Sequence, residues 1–474
     1  MTPRYIRNPQ DGQRNVLLRG MHQARNHTNR LIASSPARLT ILVFAVGIAF
    51  FTTLLSLPIA SRTGEPTPLA DAMFTAVSAF CVTGLTTVST AGHWTFFGQL
   101  VMIIAVFVGG LGIMTLASLL SMAVSRKLGV RGKLMAQQAM SQTASSKLGE
   151  VGSLLRVVIT TAVTIQFVVA LWLTVRFWIR GEDFAHGLWH GTFYAVSAFN
   201  NAGFTAHIDD LANFSHDLWI LFPLMIAVFT GALGFPVIFV LLRHHFHARK
   251  WNLHTKLTVT TALILVVVGW VIWGGIEWNN KATIGDLPVG DKIVYALFAS
   301  IMTRSGGMAL VDQTDLHPAT MVVTDALMFV GGGSASTAGG IKLTTLAILF
   351  LAILAEARGT EHVHVFGRRL PEAALRIAIA VTALAASIIT LGIILILFAK
   401  PDAPLEHVVL ESISAFATVG LSTNLSAELP DFGKYVLCGL MFTGRLGTVT
   451  FATALTLRQR RQLYQLPEER PIIG

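Results

Sequence analysis

The stretch AVSAFCVTGL at residues 76–85 recurs in altered form as AVSAFNNAGF at 195–204, FASIMTRSGG at 298–307 and SISAFATVGL at 412–421. Each is a short apolar run closed by a turn of small residues. In each, a Ser stands six positions before a Gly: Ser78 and Gly84, Ser197 and Gly203, Ser300 and Gly306, Ser414 and Gly420. One such match is noise, but four at intervals of 103 to 119 residues describe an internal repeat. The runs are too short to cross roughly 30 Å of hydrocarbon as helix. They lie between longer apolar stretches at about residues 39–59, 97–124, 154–178, 218–242, 257–273, 321–354, 374–399 and 435–457. The expected unit is span, re-entrant half-helix, Gly-containing turn and span. Used four times, it makes an all-α polytopic membrane protein with eight transmembrane helices arranged pseudo-fourfold around a central pore.

Composition agrees with that class. Of 474 residues, 53% are hydrophobic and only 13% charged, and the mean hydropathy is +0.63. A soluble domain carries about 25% charged residues. Disorder and collagen-like architectures are excluded by the same figures, and two cysteines, Cys81 and Cys438, leave no disulfide framework or thiolate zinc site. The net charge of +10 would suggest nucleic acid in a soluble protein, but the basic residues sit in alternate connections. They are Arg4 to Arg38 before the first span, Arg126 to Lys147, Arg243 to Lys256, Arg358 to Arg376, and Arg458 to Arg461. The intervening connections hold most of the acids, with Arg176, Arg180 and Arg304 as exceptions. By the positive-inside rule both termini are cytoplasmic, in a multi-pass protein of the cell's inner (plasma) membrane. A signal peptide is disfavoured by the 38-residue polar leader and the full length of the first span.

The turns hold no anionic side chain: Val82, Thr83, Gly84 and Leu85; Asn201, Ala202, Gly203 and Phe204; Arg304, Ser305, Gly306 and Gly307; Thr418, Val419, Gly420 and Leu421. They offer carbonyl oxygen instead. Irregular backbone survives at membrane depth only against protein or a water-filled cavity, and rings of carbonyls can replace the hydration shell of a monovalent cation. A divalent ion would demand carboxylates. Downstream by 24 to 28 residues, each following span carries small residues: Gly109, Gly110 and Gly112; Gly231 and Gly234; Gly331, Gly332 and Gly333; Gly444 and Gly447. Close helix packing is the simple account of such clusters, and it leaves the helices free to line an axis.

Over residues 39 to 457 these motifs resemble the TrkH/KtrB/HKT superfamily of potassium transporters. AVSAFCVTGLTT, AVSAFNNAGF, SIMTRSGGM and SISAFATVGLST look like its four filter loops. GGGSASTAGGIK at 331–342 looks like its intramembrane gating loop, and GRLG at 444–447 like the inner helix bearing a pore arginine. Eight spans make the KtrB branch the nearer relative. The resemblance implies a K+ filter of Val82, Thr83, Gly84, Asn201, Ala202, Gly203, Arg304, Ser305, Gly306, Thr418, Val419 and Gly420. It implies a gate of Gly331, Gly332, Gly333, Ser334, Ala335, Ser336, Thr337, Ala338, Gly339, Gly340, Lys342 and Arg445. It also implies a homodimer, docked on a cytosolic ring of nucleotide-binding (ATP/ADP) regulatory subunits of KtrA/TrkA type, with K+ as cargo, Na+ as a candidate activator and no covalent cofactor. Gly84, where some plant members carry Ser and admit sodium, favours potassium. The third loop departs from the usual Arg-Thr-Ala-Gly-Phe, and Thr448 stands where Pro is common.

The resulting organisation is a cytoplasmic tail (1–38), repeats at 39–128, 150–250, 256–358 and 372–461, and a second tail (462–474). Arg445 lies in an apolar span, where an unpaired guanidinium costs about 2.5–3.5 kcal/mol. It is expected to face the pore and oppose a passing cation, against a structural pairing with a buried carbonyl. The segment 331–340, with seven Gly or Ala in ten, cannot hold a stiff helix, and is read as a plug below the filter rather than a loosely packed kink. Asp325 leaves two readings open, an ion pair with Arg304 or an interfacial position. The histidines 244, 245, 247, 362 and 364 are read as solvated rather than metal-bound. GxxxxGK[ST] is not met and no nucleophile or metal cluster stands in a span, so an enzyme is not expected. The alternative is a secondary transporter of another monovalent cation or a small solute through broken helices, which would show paired inverted repeats.

Overall fold

The computed structural model describes residues 36–111, 150–208, 210–244 and 247–457. The two tails beyond these limits, Gly112 and the basic connection from Arg126 to Lys147 lie outside the described residues. The fold is helical, with one small hairpin pairing β1 (His364–Val365) with β2 (Arg368–Arg369). A helix, a short buried helix, a turn and a further helical stretch follow one another four times. The first set is α1 (Pro36–Leu55), α2 (Leu69–Phe80) and α3 (Phe96–Gly110). The second is α4 (Glu150–Ile179), α5 (Phe184–Phe199), then α6 (Leu218–Leu233) and α7 (Phe235–His244). The third is α8 (Leu253–Glu277), α9 (Val289–Met302), then α10 (Pro318–Phe329) and α11 (Leu343–Ala357). The last is α12 (Glu372–Ala399), α13 (Leu405–Ala417) and α14 (Asp431–Leu457).

The short helices α2, α5, α9 and α13 are 12, 16, 14 and 13 residues long, so each extends about 18–24 Å. Their starts are set locally. Pro68, Pro288 and Pro404 occupy the N-cap positions of α2, α9 and α13, and Asp183 caps α5 by accepting from the Ala185 N–H at 3.1 Å. Their faces are packed on all sides, with Phe74, Phe80, Phe193, Phe199, Phe298 and Phe416 all buried. The long helices form the outside and expose aliphatic and aromatic side chains such as Phe167, Val271, Ile394 and Phe398. Three of them, Val158–Ile179, Leu253–Glu277 and Glu372–Ala399, are by themselves long and apolar enough to cross a membrane.

One span expected to be uninterrupted is broken, and another is irregular where its Gly-rich segment disfavours helix. The 218–242 stretch bends by 103° between α6 and α7. The hinge is Gly234, whose φ of +91° suits only a residue without a Cβ. The 321–354 stretch is helical at both ends and irregular over 330–342, where five glycines fall within ten residues.

The downstream glycines have a direct packing role. A Cβ on Gly109, Gly231 or Gly444 would collide with the carbonyl oxygen of Phe80, Phe199 or Phe416, the last residue but one in α13 and the last residue in α2 and α5. Three inner helices thus rest their backbone on the C-terminal carbonyls of three short helices. Gly109→Ala is expected to cost about 1–3 kcal/mol through overpacking and to lower the thermal midpoint of the purified protein. Gly275→Ala, where no other side chain or element lies within 4 Å of the added methyl, should not lower that midpoint, since Ala is the better helix former.

Candidate functional site

Each short helix ends in the same backbone gesture. A non-glycine residue enters the left-handed region, Val82 (φ 58°), Asn201 (φ 60°), Ser305 (φ 64°) and Thr418 (φ 50°), and a left-handed glycine follows two residues later: Gly84, Gly203, Gly307 and Gly420. β-Branched residues rarely adopt this conformation, so Val82 and Thr418 are held there by their surroundings. The intervening N–H folds back onto the helix, Thr83 to Ser78 O at 2.7 Å, Ala202 to Ser197 O at 2.8 Å and Val419 to Ser414 O at 2.9 Å. Ser78 and Ser414 then accept the N–H of Gly84 and Gly420 at 3.1 and 3.0 Å. Ser197 instead donates to Phe204 O at 2.8 Å.

The four glycines close a ring. A Cβ on Gly84 would lie 3.1 Å from the Cα of Gly203, one on Gly203 2.9 Å from that of Gly307, one on Gly307 3.2 Å from that of Gly420, and one on Gly420 3.2 Å from that of Gly84. The carbonyl oxygens of Thr83, Ala202, Gly306 and Val419 pack against the glycine of the adjacent turn. Among the described residues these four oxygens accept no protein hydrogen bond. The C-terminal ends of four helices, which carry partial negative charge, converge on them.

This ring corrects the third turn by one residue. Gly307, and not Gly306, is the equivalent of Gly84, Gly203 and Gly420, and the triplet is Ser305, Gly306 and Gly307. Ser300, expected to match Ser78, donates to Val266 O on α8 at 2.7 Å and does not touch the turn. Arg304 precedes the triplet, and its guanidinium turns away to Ala262 O on α8 at 2.9 Å. No ion pair joins Arg304 to Asp325.

The 330–342 segment lies on one side of the ring as an ordered loop. Its neck is pinned by Gly331 N–H to Ile341 O and Leu343 N–H to Gly332 O, both at 3.0 Å. Its body docks on the α6/α7 hinge through Gly333 N–H to Ala232 O at 2.8 Å and Phe235 N–H to Ala335 O at 3.3 Å. Asn201, with its amide oriented by its acceptors, brings its two N–H groups within 3.2 Å of Thr337 Oγ1, Phe199 O and Val228 O, joining turn, loop and α6. Gly339 abuts Thr418 so closely that a Cβ would collide with its hydroxyl.

Two cations grip this loop. Arg445, 6% exposed, donates through Nη1 to Thr337 O and through Nη2 to Gly109 O on α3 at 2.9 Å. Lys342 Nζ donates to Ala338 O at 2.7 Å. The carbonyl pairing of Arg445, the simpler of its two sequence readings, is thus present, and one of its two acceptors lies on the loop itself.

Sequence reading missed the hinge at Gly234, for which GALGFP at 231–236 was an available signal, and the bracing by Asn201, for which there was none. Arg176 and Arg180, out of place by charge distribution, are paired with Asp217 at 2.9 and 2.8 Å. Of the five histidines, 245 lies outside the described residues; among the described residues two imidazoles share one carboxylate at Glu182, His190 and His207.

A bundle of apolar helices closing four glycine turns into one ring defines a helical membrane protein. The chain belongs to the TrkH family, described as "Cation transport protein", whose model matches residues 18–462. Ktr system potassium uptake protein B of Bacillus subtilis (strain 168) is 35% identical over 417 residues, 88% of this chain and 92% of that one. Potassium/sodium uptake protein NtpJ of Enterococcus hirae is 32% identical over 445 residues, 93% of this chain and 97% of its own. Among solved structures, the potassium transporter TrkH from Vibrio parahaemolyticus superposes with a TM-score of 0.65 over 88% of this chain and 84% of that chain, at 18% identity, a likeness of fold.

Burial alone would raise the Asp217 carboxyl, but hydrogen bonds from Arg180 and Arg176 hold it below its ordinary value. The pair's contribution to stability is therefore complete above the unfolded carboxylate pKa of about 3.9 and is lost as pH falls through the lower folded value. Asp217→Asn should lower the thermal midpoint at pH 7, and the gap to wild type should close as the pH is taken below about 4.

Proposed function

We propose that the protein is the potassium-selective membrane subunit of a Ktr-type uptake system, carrying K+ inward down the membrane potential. The supporting observation is the set of four carbonyls, Thr83, Ala202, Gly306 and Val419, that pack against a ring of glycines and, among the described residues, have no hydrogen-bond donor. Such oxygens need a partner, and a dehydrated monovalent cation supplies one. The absence of acidic side chains in the turns argues for a singly charged ion. In this reading the eight helical passages span the plasma membrane with both termini cytoplasmic, and the four turns are the filter. A membrane potential of 100 mV contributes about 2.3 kcal/mol per charge. The names of the relatives, potassium uptake protein B and a potassium/sodium uptake protein, support the cargo.

The 330–342 loop is the gate. It is tethered to turn and hinge by hydrogen bonds that can break singly, and Arg445 and Lys342 place positive charge beside the cation's route. A homodimer, and a cytosolic nucleotide-binding ring that releases the loop, complete the reading by analogy with the Ktr system. The test is rescue of a K+-uptake-deficient bacterial strain at low K+, with and without candidate regulatory subunits. Failure to rescue in every combination, with protein present in the membrane, would refute it.

Two substitutions probe the parts separately. Gly84→Ser puts a side chain where the Ala202 carbonyl stands and at a φ of +96°. It should reduce the K+/Na+ uptake ratio several-fold; an unchanged ratio in folded protein would remove Gly84 from the filter. Arg445→Ala frees Thr337 O and Gly109 O from their tether and removes a charge. Maximal uptake should rise with little change in apparent K+ affinity, and Arg445→Lys should fall between, keeping charge but losing the two-armed geometry. Unaltered uptake and regulation in Arg445→Ala would end the gating role.

A further inference from the structure

Away from the ring, three side chains from three segments meet where α4 gives way to α5. Glu182 lies in the turn between α4 and α5, His190 on α5, and His207 on the strand of chain that returns from Gly203. His190 Nδ1 is 2.8 Å from Glu182 Oε2, and His207 Nε2 is 3.1 Å from Glu182 Oε1. The two imidazole centroids are 4.2 Å apart, and one ligand atom from each residue can be chosen so that all three lie within 4.8 Å of one another. The side chains are 17 to 23% exposed, so the cluster is sheltered but open to solvent.

We propose that Glu182, His190 and His207 form a binding site for a divalent transition ion of the zinc type, facing the side of the membrane opposite the basic connections. Two imidazoles and one carboxylate, with water in the fourth position, are a donor set that suits Zn2+. Bond lengths of about 2.0–2.2 Å place tetrahedral ligands roughly 3.4 Å apart, so the present spacing closes with rotamer adjustments and no backbone movement. Ca2+ and Mg2+ are disfavoured, because one carboxylate cannot supply an oxygen shell.

The surroundings are built as an outer shell. Tyr194, fully buried, holds His207 Nδ1 through its hydroxyl at 2.9 Å. Once the ion has replaced the Nε2 proton, Nδ1–H donates to that oxygen and the Nε2 lone pair is free for the metal, which is the ligating tautomer. Phe177 packs its ring against His190, Tyr194 and His207 at centroid distances of 6.2, 5.9 and 5.6 Å, and Phe214 lies 4.8 Å from His207. In the metal-free state hydrogen bonds to Glu182 keep the ligands gathered; the ion replaces those protons.

Binding would fasten the return limb of the second turn to α5 and to the end of α4. The site's location on that face rests on the orientation proposed above, but ion binding does not. Purified full-length protein, free of histidine tag, is titrated with Zn2+ against a chromophoric chelator, and with Co2+ to read the visible absorption of a tetrahedral site. One Zn2+ per chain is expected, with a rise in thermal midpoint and no competition from Ca2+. Glu182→Gln, His190→Gln and His207→Gln should each weaken binding at least tenfold and abolish the cobalt band. His362→Gln should change neither.

Wild-type protein that binds no Zn2+ in the micromolar range, or variants that elute as folded protein and bind as wild type does, would overturn the proposal. Should the three ligand variants prove unstable, Tyr194→Phe keeps the packing and removes only the hydroxyl on Nδ1, and its Zn2+ affinity should fall several-fold; an unchanged affinity would also overturn it. None of these measurements involves K+ movement, so the zinc site and the ion pathway fail or stand separately.

Discussion

Four buried backbone carbonyls that accept no hydrogen bond among the described residues are the constraint on which the remainder of this structure is arranged. An unsatisfied backbone group away from water costs several kcal/mol, so in the proposed reading the turns that carry Thr83, Ala202, Gly306 and Val419 face one another around a cation. Bringing four turns that close demands residues without side chains at the contact. The consequence is the cyclic succession of Gly84, Gly203, Gly307 and Gly420, each within van der Waals reach of the next. The same demand propagates outward one layer. Gly109, Gly231 and Gly444 let the inner helices lie directly on the carbonyls that end α2, α5 and α13, so the position of the ring is fixed by backbone contacts that no rotamer change can relax.

The third set departs from the others in ways that hang together. Its short helix uses Met302 O to accept from both Gly306 and Gly307, at 2.8 and 3.3 Å, and its serine is spent on α8. Where the other inner helices lay a glycine on the end of a short helix, here the chain leaves the helix altogether over 330–342. The displaced segment fills the space beside the ring and makes its hydrogen bonds with the hinge at Gly234, with Asn201 and with Arg445. Break in one helix and loop in the next are thus a single feature: the carbonyls of Gly231 and Ala232 left free by the bend are those that receive the loop's N–H groups.

Buried charge is handled differently at the two ends of the bundle. Asp217 is met by Arg176 and Arg180, and Asp71 by Lys434 at 2.6 Å, so the connections are fastened by carboxylate pairs. Glu411, fully buried, accepts from Ser422, Ser426 and the Thr423 N–H and orders the chain that returns from Gly420. Near the ring, by contrast, the partners of Arg445 and Lys342 among the described residues are backbone carbonyls, so their charge is solvated but not neutralised.

The sequence by itself determined the class, the fourfold recurrence and most of the ring. Those features are encoded in local chemistry: apolar length, a proline or aspartate before each short helix, and glycine where the backbone must turn left-handed. It also located the loop, because a run of glycine and alanine cannot hold a helix in any context. It could not choose between Gly306 and Gly307, since two adjacent glycines are equally able to adopt the conformation and the choice is made by contact with Gly203 and Gly420 from other turns. Nor could it find the partners of Arg445, the bend at Gly234 or the meeting of Glu182 with His190 and His207. Each of these is a relation between segments far apart in the chain, and only closing the ring sets the distances that decide it.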